Sequence, residues 1–433
     1  MARKARHPPL RVMLNSRHVG YLRKAASGAT EFQYERSWLD WPNTFPVSLS
    51  LPLREDPYRG AEVTNVFENL LPDAEPIRRR VAERVGAAGT DAYSLLAAIG
   101  RDCVGALQFV TDAGESDSAQ QDAEPLTDAD IEKMLKGLGQ APLGLTREDD
   151  FRISVAGAQE KTALLFKEGA WFKPHGATPT THIFKPPIGK LPNGIDLTHS
   201  VENEHYCLRL VEAFGLPVNQ TQMLTFGETK ALVVERFDRR WTNGRLLRLP
   251  QEDFCQSLSV PPTRKYQSDG GPTLVDALRL LDGSDNPADD QAVVLQAQIL
   301  FWLIGATDGH AKNFSLFLGP GGRYWLTPLY DILTAQPSLD AKQIERRQFR
   351  LAMSVGKNRH YLVHEIVGRH FVQTGEAAGL SKRAVMESMT FIADRAEKAI
   401  ACVEQSLPAG FPLEIHESVS KGLLERRAAL ALV

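Results

Sequence analysis

The sequence predicts an α+β fold in two lobes, a strand-rich half followed by a mainly helical one. Three observations carry that reading. Short alternating strands and amphipathic helices mix through the first 110 residues, and strand-like runs recur between 151 and 240. From 241 onward the apolar pattern is mostly helical. The expected division is 1–110, an accessory subdomain; 111–150, an acidic linker and helix; 151–240, a strand-rich lobe; and 241–433, a helical lobe.

Residues 10–22 read as a hairpin. Val12 and Leu14 alternate before a turn at Asn15-Ser16-Arg17, and Val19-Gly20-Tyr21 returns. Residues 32–34 and 45–53 are expected as further short strands, with Pro52 suiting an edge. The pattern then turns helical (Val66, Phe67, Leu70, Leu71), continues over 76–85 and 91–98, and closes with a strand at 103–110. No catalytic side chain stands out there, which suits a docking role. Residues 111–124 are acidic, rich in Ser and Gln, and free of large apolar side chains, as in a solvated linker. Thr127, with Asp130 three positions on, caps a helix through Ile131, Met134 and Leu135.

The strand-rich lobe opens with Arg152-Ile153-Ser154-Val155-Ala156-Gly157-Ala158-Gln159-Glu160-Lys161, which reads as strand, small-residue turn, strand. Successive backbone N–H groups in such a turn can cradle phosphate oxygens, although one glycine makes a weaker signal than a glycine-rich loop. His182-Ile183-Phe184-Lys185 is a short strand ended by two prolines, and 200–214 is a helix stopped at Gly215. That helix carries Glu202 and Glu204. Either could orient Lys185 or lie on a solvated face. Residues 231–238 form an apolar strand running into the charged link Glu235-Arg236-Phe237-Asp238.

The chemistry concentrates in the helical lobe. Residues 292–305 are apolar nearly all round, as in a buried helix, and deliver Asp308-Gly309-His310-Ala311-Lys312-Asn313. A hairpin follows, 314–318 with 323–326 around Gly319-Pro320-Gly321-Gly322, and leads into Leu329-Tyr330-Asp331. Asp-Gly alone is a common turn. An Asp, an Asn five positions later and a second Asp beyond a hairpin form, together, the order that protein-kinase chemistry needs. The first Asp accepts the substrate hydroxyl proton, and the Asn and second Asp hold magnesium against the nucleotide phosphates. Magnesium favours such hard oxygen donors.

Composition narrows the class further. With 433 residues the chain can bury a large core and holds two or three domains. A net charge of −3 argues against bulk nucleic-acid binding but not against a local basic patch. Cys103, Cys207, Cys255 and Cys402 are scattered, fitting neither a disulfide framework nor a zinc site. No apolar run reaches the roughly 18 residues of a membrane span, and the basic N-terminus lacks an apolar signal region. The expected location is the cytoplasm.

With Ser154-Val-Ala-Gly-Ala-Gln-Glu-Lys161, Phe184-Lys185, Glu235-Arg-Phe237-Asp238, Asp308-Gly-His-Ala-Lys-Asn313 and Leu329-Tyr-Asp331 in this order, the chain closely resembles the HipA toxins. These are bacterial serine/threonine kinases of type II toxin–antitoxin modules with a protein-kinase-like fold. The resemblance implies an ATP- and Mg2+-dependent serine/threonine protein kinase. Asp308 would be the catalytic base, and Asn313 and Asp331 the metal ligands. Val155, Ala156, Gly157, Ala158, Gln159 and Lys161 would cover the phosphates with Lys185. His310, Asn313 and Asp331 would complete the nucleotide site, and the backbones of Glu235 and Phe237 would hold adenine. Ser154 matches the family's autophosphorylation site, where added charge ejects the loop. The implied partners are a small helix-turn-helix antitoxin dimer, operator DNA through that complex, and glutamate–tRNA ligase as substrate. Lys382 and Arg383 could touch DNA phosphates, or could form a solvated helix face. A corepressor without catalysis and a small-molecule phosphotransferase are the competing readings.

Overall fold

A computed structural model describes residues 7–111, 122–145, 156 and 159–433. The chain forms two compact units. The first comprises residues 1–186, 224–263 and 316–324; the second comprises 187–223, 264–315 and 325–433.

The first unit begins with β1 (Leu10–Leu14), β2 (Arg17–Lys24) and β3 (Thr30–Tyr34), joined by tight turns. With β4 (Tyr58–Arg59) and β5 (Leu107–Thr111) they form an antiparallel sheet in the order β4-β3-β2-β1-β5. Alternate side chains of β1 (Leu10, Val12, Leu14) face inward beneath α1 (Ala61–Glu68), α2 (Glu75–Val85) and α3 (Ala92–Ile99). The capping logic is local. Asp91 accepts from the Ser94 N–H at the start of α3, and Gly86 ends α2 in the left-handed region.

Residues 45–53 do not form the expected strand. Pro46 and Pro52 have no N–H to offer a ladder. The neighbouring backbone is satisfied by side chains instead: Val47 N–H donates to the Tyr34 hydroxyl and Leu49 N–H to Glu252. The segment is an irregular connection, buried over 45–48 and at Leu51.

A second sheet completes this unit. β6 (Ala123–Pro125) and the Thr127-capped α4 (Asp128–Gly137) precede β7 (Thr162–Lys167), β8 (Ala170–Pro174) and β9 (His182–Lys185). β10 (Thr221–Phe226) and β11 (Thr229–Glu235) close a sheet in the order β10-β11-β9-β7-β8-β6. Its core, Leu164, Phe184, Ala231 and Val233 against Ile131 and Leu135 of α4, is fully apolar. The hairpin β12 (Arg239–Thr242) and β13 (Arg245–Arg248) follows. A three-stranded sheet runs β14 (Gln251–Asp253), β15 (Ser315–Gly319), β16 (Arg323–Leu326).

The second unit is helical: α5 (Ser200–Ala213), α6 (Leu274–Leu280), α7 (Pro287–Ile304), α8 (Gly368–Ala378), α9 (Lys382–Ser406) and α10 (Leu413–Leu430). β17 (Arg350–Val355) and β18 (His360–Leu362) form its small hairpin. α7 is its central rod. The helix buries residues 297–304 without interruption, and Trp302 both fills the core and donates to the Val363 carbonyl at 2.9 Å. Glu202 and Glu204 on α5 are both buried, so the solvated-face reading of these two fails. Cys103, Cys207 and Cys255 are buried and Cys402 is exposed; all four are free thiols. Among the described residues no helix is long and apolar enough to cross a membrane.

Candidate active site

α7 ends in a Schellman-type turn: Gly305 adopts φ +70°, and the Ala306 N–H reaches back to the Phe301 carbonyl at 2.8 Å. This stop fixes where residues 306–313 emerge. A second glycine is required by close approach, because a Cβ on Gly309 would lie 2.4 Å from the Phe301 ring. The turn then locks on itself. The Asp308 carbonyl accepts from the His310 N–H (2.8 Å) and from the side-chain amide of Asn313 (2.9 Å), while the Asn313 N–H donates to the His310 carbonyl (2.9 Å).

Asp331 comes to the same place. Asn313 Nδ2 also donates to the Asp331 carbonyl at 3.3 Å. With its amide nitrogen shared by two carbonyls, Asn313 has its Oδ1 turned away from both as an oxygen donor for a ligand. Asp331 has φ +58°, an uncommon backbone conformation that Asp tolerates better than most residues. It is held there from both sides. Leu329 exchanges backbone bonds with Pro217 (2.9 Å) and Asn219 (2.8 Å), and Thr334 exchanges two 2.9 Å bonds with the Asn203 side chain of α5. Between these clamps the Tyr330 hydroxyl donates to the Lys312 carbonyl (2.8 Å) and meets the Ser315 hydroxyl (2.6 Å). Strain of this kind, of order 1–3 kcal/mol per residue, persists where surroundings over-determine it, and it clusters at functional sites.

Asp308, His310, Asn313 and Asp331 are thus gathered within the second unit. Asp308 is exposed, whereas His310 and Asn313 are buried. Tyr266, absent from the residues expected at the site, donates its hydroxyl to Asp308 Oδ1 at 2.6 Å and stands edge-on to His310, ring centroids 4.9 Å apart. It lies 42 positions upstream, and nothing in its local pattern marks it.

The first unit gathers the other predicted residues. In the β7–β9 ladder Thr162 opposes Phe184, so the next positions at that end are Lys161 and Lys185, both buried. Lys161 Nζ donates to the Ala156 carbonyl, and Gln159 donates to the carbonyl of Pro186 at 3.1 Å. Ala156 and Gln159 are therefore tied to the two lysine-bearing segments. Arg80 of α2 pairs with the neighbouring Glu160. Ser154, Val155, Gly157 and Ala158 lie outside the described residues. Glu235 pairs with His182 in the ladder and is exposed, and Phe237 stands edge-on to Phe317 at 5.7 Å.

The charged link after β11 is largely buried. Arg236, Asp238 and Arg239 are buried with Asp102 and Arg248 in a closed ionic network. Asp102 receives Arg239 (2.8 Å), Arg248 (3.0 Å), Arg236 (3.3 Å) and the Thr180 hydroxyl (2.7 Å). Asp238 takes Arg236 at 2.8 Å, Arg239 at 3.1 Å and the Gly105 N–H at 2.6 Å. Burial works to raise the Asp102 carboxyl, but the three guanidiniums outweigh it and hold it well below the usual carboxylate range. Burial and the neighbouring Arg236 bring Arg239 down to about 10. The network pins the backbone on both sides of Phe237.

Lys382 and Arg383 occupy the exposed first turn of α9, where Arg383 donates to Glu387 at 2.8 Å. Both side chains are exposed there. Among the described residues no group of three or more His, Cys, Asp or Glu could hold a metal ion.

The comparisons follow the same lines. Residues 10–110 match the HipA N-terminal domain, and residues 153–400 match the HipA-like C-terminal domain. Y4mE of Sinorhizobium fredii, provisionally named a kinase, is 36% identical over 402 residues, covering 91% of each chain. The serine/threonine-protein kinase toxin HipA of Shewanella oneidensis is 28% identical over 394 residues, 88% of this chain and 85% of that one. Among solved structures, HipA of Shewanella oneidensis MR-1, in complex with HipB and its operator DNA, superposes with a TM-score of 0.81 at 26% identity, covering 96% of both chains. That likeness bears out the expected α+β, two-lobed kinase-like fold with an added N-terminal subdomain. With both domain models matched in order, the chain belongs to the HipA family.

Proposed function

We propose that the chain is an ATP- and magnesium-dependent serine/threonine protein kinase acting as the toxin of a toxin–antitoxin module. The observation that supports this reading is the Asn313 amide, bonded to the carbonyls of both Asp308 and Asp331, so that the residues that would serve as base and metal donors meet around one side chain. Asp308 would accept the proton of the acceptor hydroxyl. Asn313 Oδ1 and the Asp331 carboxylate fit a magnesium ion: both are hard oxygens, and the ion keeps its remaining positions for water and phosphate. When bound, the ion supplies neutralisation of charge on the phosphates. Lys161 and Lys185 would hold phosphate oxygens through charge-assisted bonds, and the pinned backbone at Glu235 and Phe237 would meet adenine.

The finer readings rest on family membership. Ser154 would be the self-modified residue of the phosphate loop. Glutamate–tRNA ligase would be the protein substrate, its phosphorylation arresting translation in the cytoplasm and promoting dormancy. A small helix-turn-helix antitoxin dimer would bind the chain and join it to operator DNA, as HipB and DNA accompany HipA in the Shewanella complex. Lys382 and Arg383 would lie toward the phosphates there. The chain would divide functionally at residues 110, 150 and 240 into docking, linker, nucleotide-binding and catalytic parts.

The test is transfer of label from γ-labelled Mg-ATP to purified glutamate–tRNA ligase, with chelated metal and Asp308→Asn as controls. The reading predicts labelled serine that both controls abolish. Nucleotide binding without transfer, or repression of an operator by an antitoxin complex that binds no nucleotide, would favour a corepressor. Turnover of aminoglycosides or sugars without protein labelling would favour a small-molecule phosphotransferase.

A further inference from the structure

We infer that Tyr266 is a positioning residue for the phosphotransfer base, setting the Asp308 carboxylate before substrate arrives. The inference rests on the kinase reading of Asp308 and goes beyond it. Asp308 is exposed at the end of a tight turn, and an exposed Asp on its own samples several rotamers. Here one of its oxygens is held by a phenol at 2.6 Å, within the short range of O–H donors to carboxylates.

The phenol is itself built into the fold. The next residue, Gln267, makes two side-chain bonds to Ser354 of β17: its amide donates to the Ser354 hydroxyl, and its oxygen accepts the Ser354 N–H, both at 2.8 Å. The Tyr266 carbonyl accepts the N–H groups of Asp269 (3.0 Å) and Gly271 (2.9 Å). No side chain fits at Gly271, where a Cβ would lie 1.9 Å from the Arg264 carbonyl oxygen. The tyrosine ring is braced edge-on by His310, which belongs to the same turn as Asp308. Loop, ring and hydroxyl are thus all fixed relative to the carboxylate. A tyrosine merely covering an exposed site would need none of these bonds.

In the reaction, the acceptor oxygen forms its bond to the γ-phosphorus, the bond from that phosphorus to the bridging oxygen of ADP breaks, and the acceptor proton passes to Asp308. Tyr266 takes no part in that bond exchange. It fixes the direction from which the carboxylate meets the hydroxyl, and orientation of this kind accounts for large parts of such barriers.

The experiment uses the full chain, γ-labelled Mg-ATP, and label counted both in the chain and in myelin basic protein, for wild type, Tyr266→Phe, Gln267→Ala and Asp308→Asn. Tyr266→Phe keeps the ring against His310 and removes only the hydroxyl. Its maximal rate should fall roughly tenfold or more, with the half-saturating ATP concentration within about twofold of wild type and an unchanged melting temperature. Gln267→Ala should show the same split with a smaller loss of rate. An unchanged Tyr266→Phe rate overturns the inference. So does a higher one, which would make Tyr266 a plug, and so does label on Tyr266, which would make it an acceptor. A joint loss of rate, ATP affinity and melting temperature would reduce the residue to a structural one. A wild type that transfers no label, like Asp308→Asn, would remove the kinase reading itself and the inference with it.

Discussion

Asn313 donates its side-chain amide to the backbone carbonyl of Asp331, 18 positions later in the chain, while the same nitrogen serves the carbonyl of Asp308. The residue is at once a candidate metal donor and the tie that assembles the site. Asn313→Asp separates the two roles, since a carboxylate is a good magnesium ligand but has no N–H to give. It would instead face two carbonyl oxygens. Phosphate transfer should fall at least about a hundredfold, and stability by about 1–3 kcal/mol. Label transfer and urea unfolding check both; a variant near wild type in rate would show that the amide tie is dispensable.

Asp331→Gly should divide stability from activity. Glycine adopts the observed φ of +58° without strain, so the fold should hold within about 1 kcal/mol of wild type or gain slightly. The lost carboxylate should abolish metal-dependent transfer. Loss of the fold together with the activity would mean that the Asp331 side chain, rather than its chemistry, holds the clamp between Leu329 and Thr334.

Asp102→Asn removes the charge that three buried guanidiniums share. Breaking a buried pair on one side costs about 3–5 kcal/mol, because the remaining charges stay buried with less compensation. Urea denaturation should record a loss of that size, and the half-saturating ATP concentration should rise as the backbone around Phe237 loosens. A change below about 1 kcal/mol would contradict the network as drawn.

Glu252 gives the pH dependence. Burial pushes its carboxyl from 4.5 up to about 7, against an opposing bond from the Leu49 N–H. The folded chain therefore holds this proton more tightly than the unfolded one. Its stabilising share is fully present below pH 4.5 and is lost as pH rises through 7. Glu252→Gln should stabilise the chain by about 3 kcal/mol at pH 8, from roughly 1.4 kcal/mol per unit, and by almost nothing near pH 4.5. Melting temperatures of the two proteins across that range provide the check.

The sequence made the stretch from α7 to Asp331 legible because its signals are local. A largely apolar run set the course of α7, Gly305 set its end, and the Asp–Asn–Asp order followed within 24 residues of Asp308. Residues 182–185 and the apolar start of 231–238 read as strands for the same reason. What stayed hidden depends on distance along the chain. The burial of Arg236, Asp238 and Arg239 could not be read locally, because their partner Asp102 lies 134 residues away from Arg236. Tyr266 meets Asp308 across 42 positions, in a loop without period. Residues 45–53 carried a strand's apolar side chains, but the two prolines and the Tyr34 and Glu252 acceptors gave their backbone a different set of partners.

The most direct test of the central claim is the intact mass of the purified chain before and after Mg-ATP, for wild type and Asp308→Asn, with the modified residue mapped. The account predicts that unmodified wild type gains one phosphate, on Ser154, and that Asp308→Asn gains none. A wild type that starts unmodified and stays so, or an Asp308→Asn protein that gains the same mass, would contradict it.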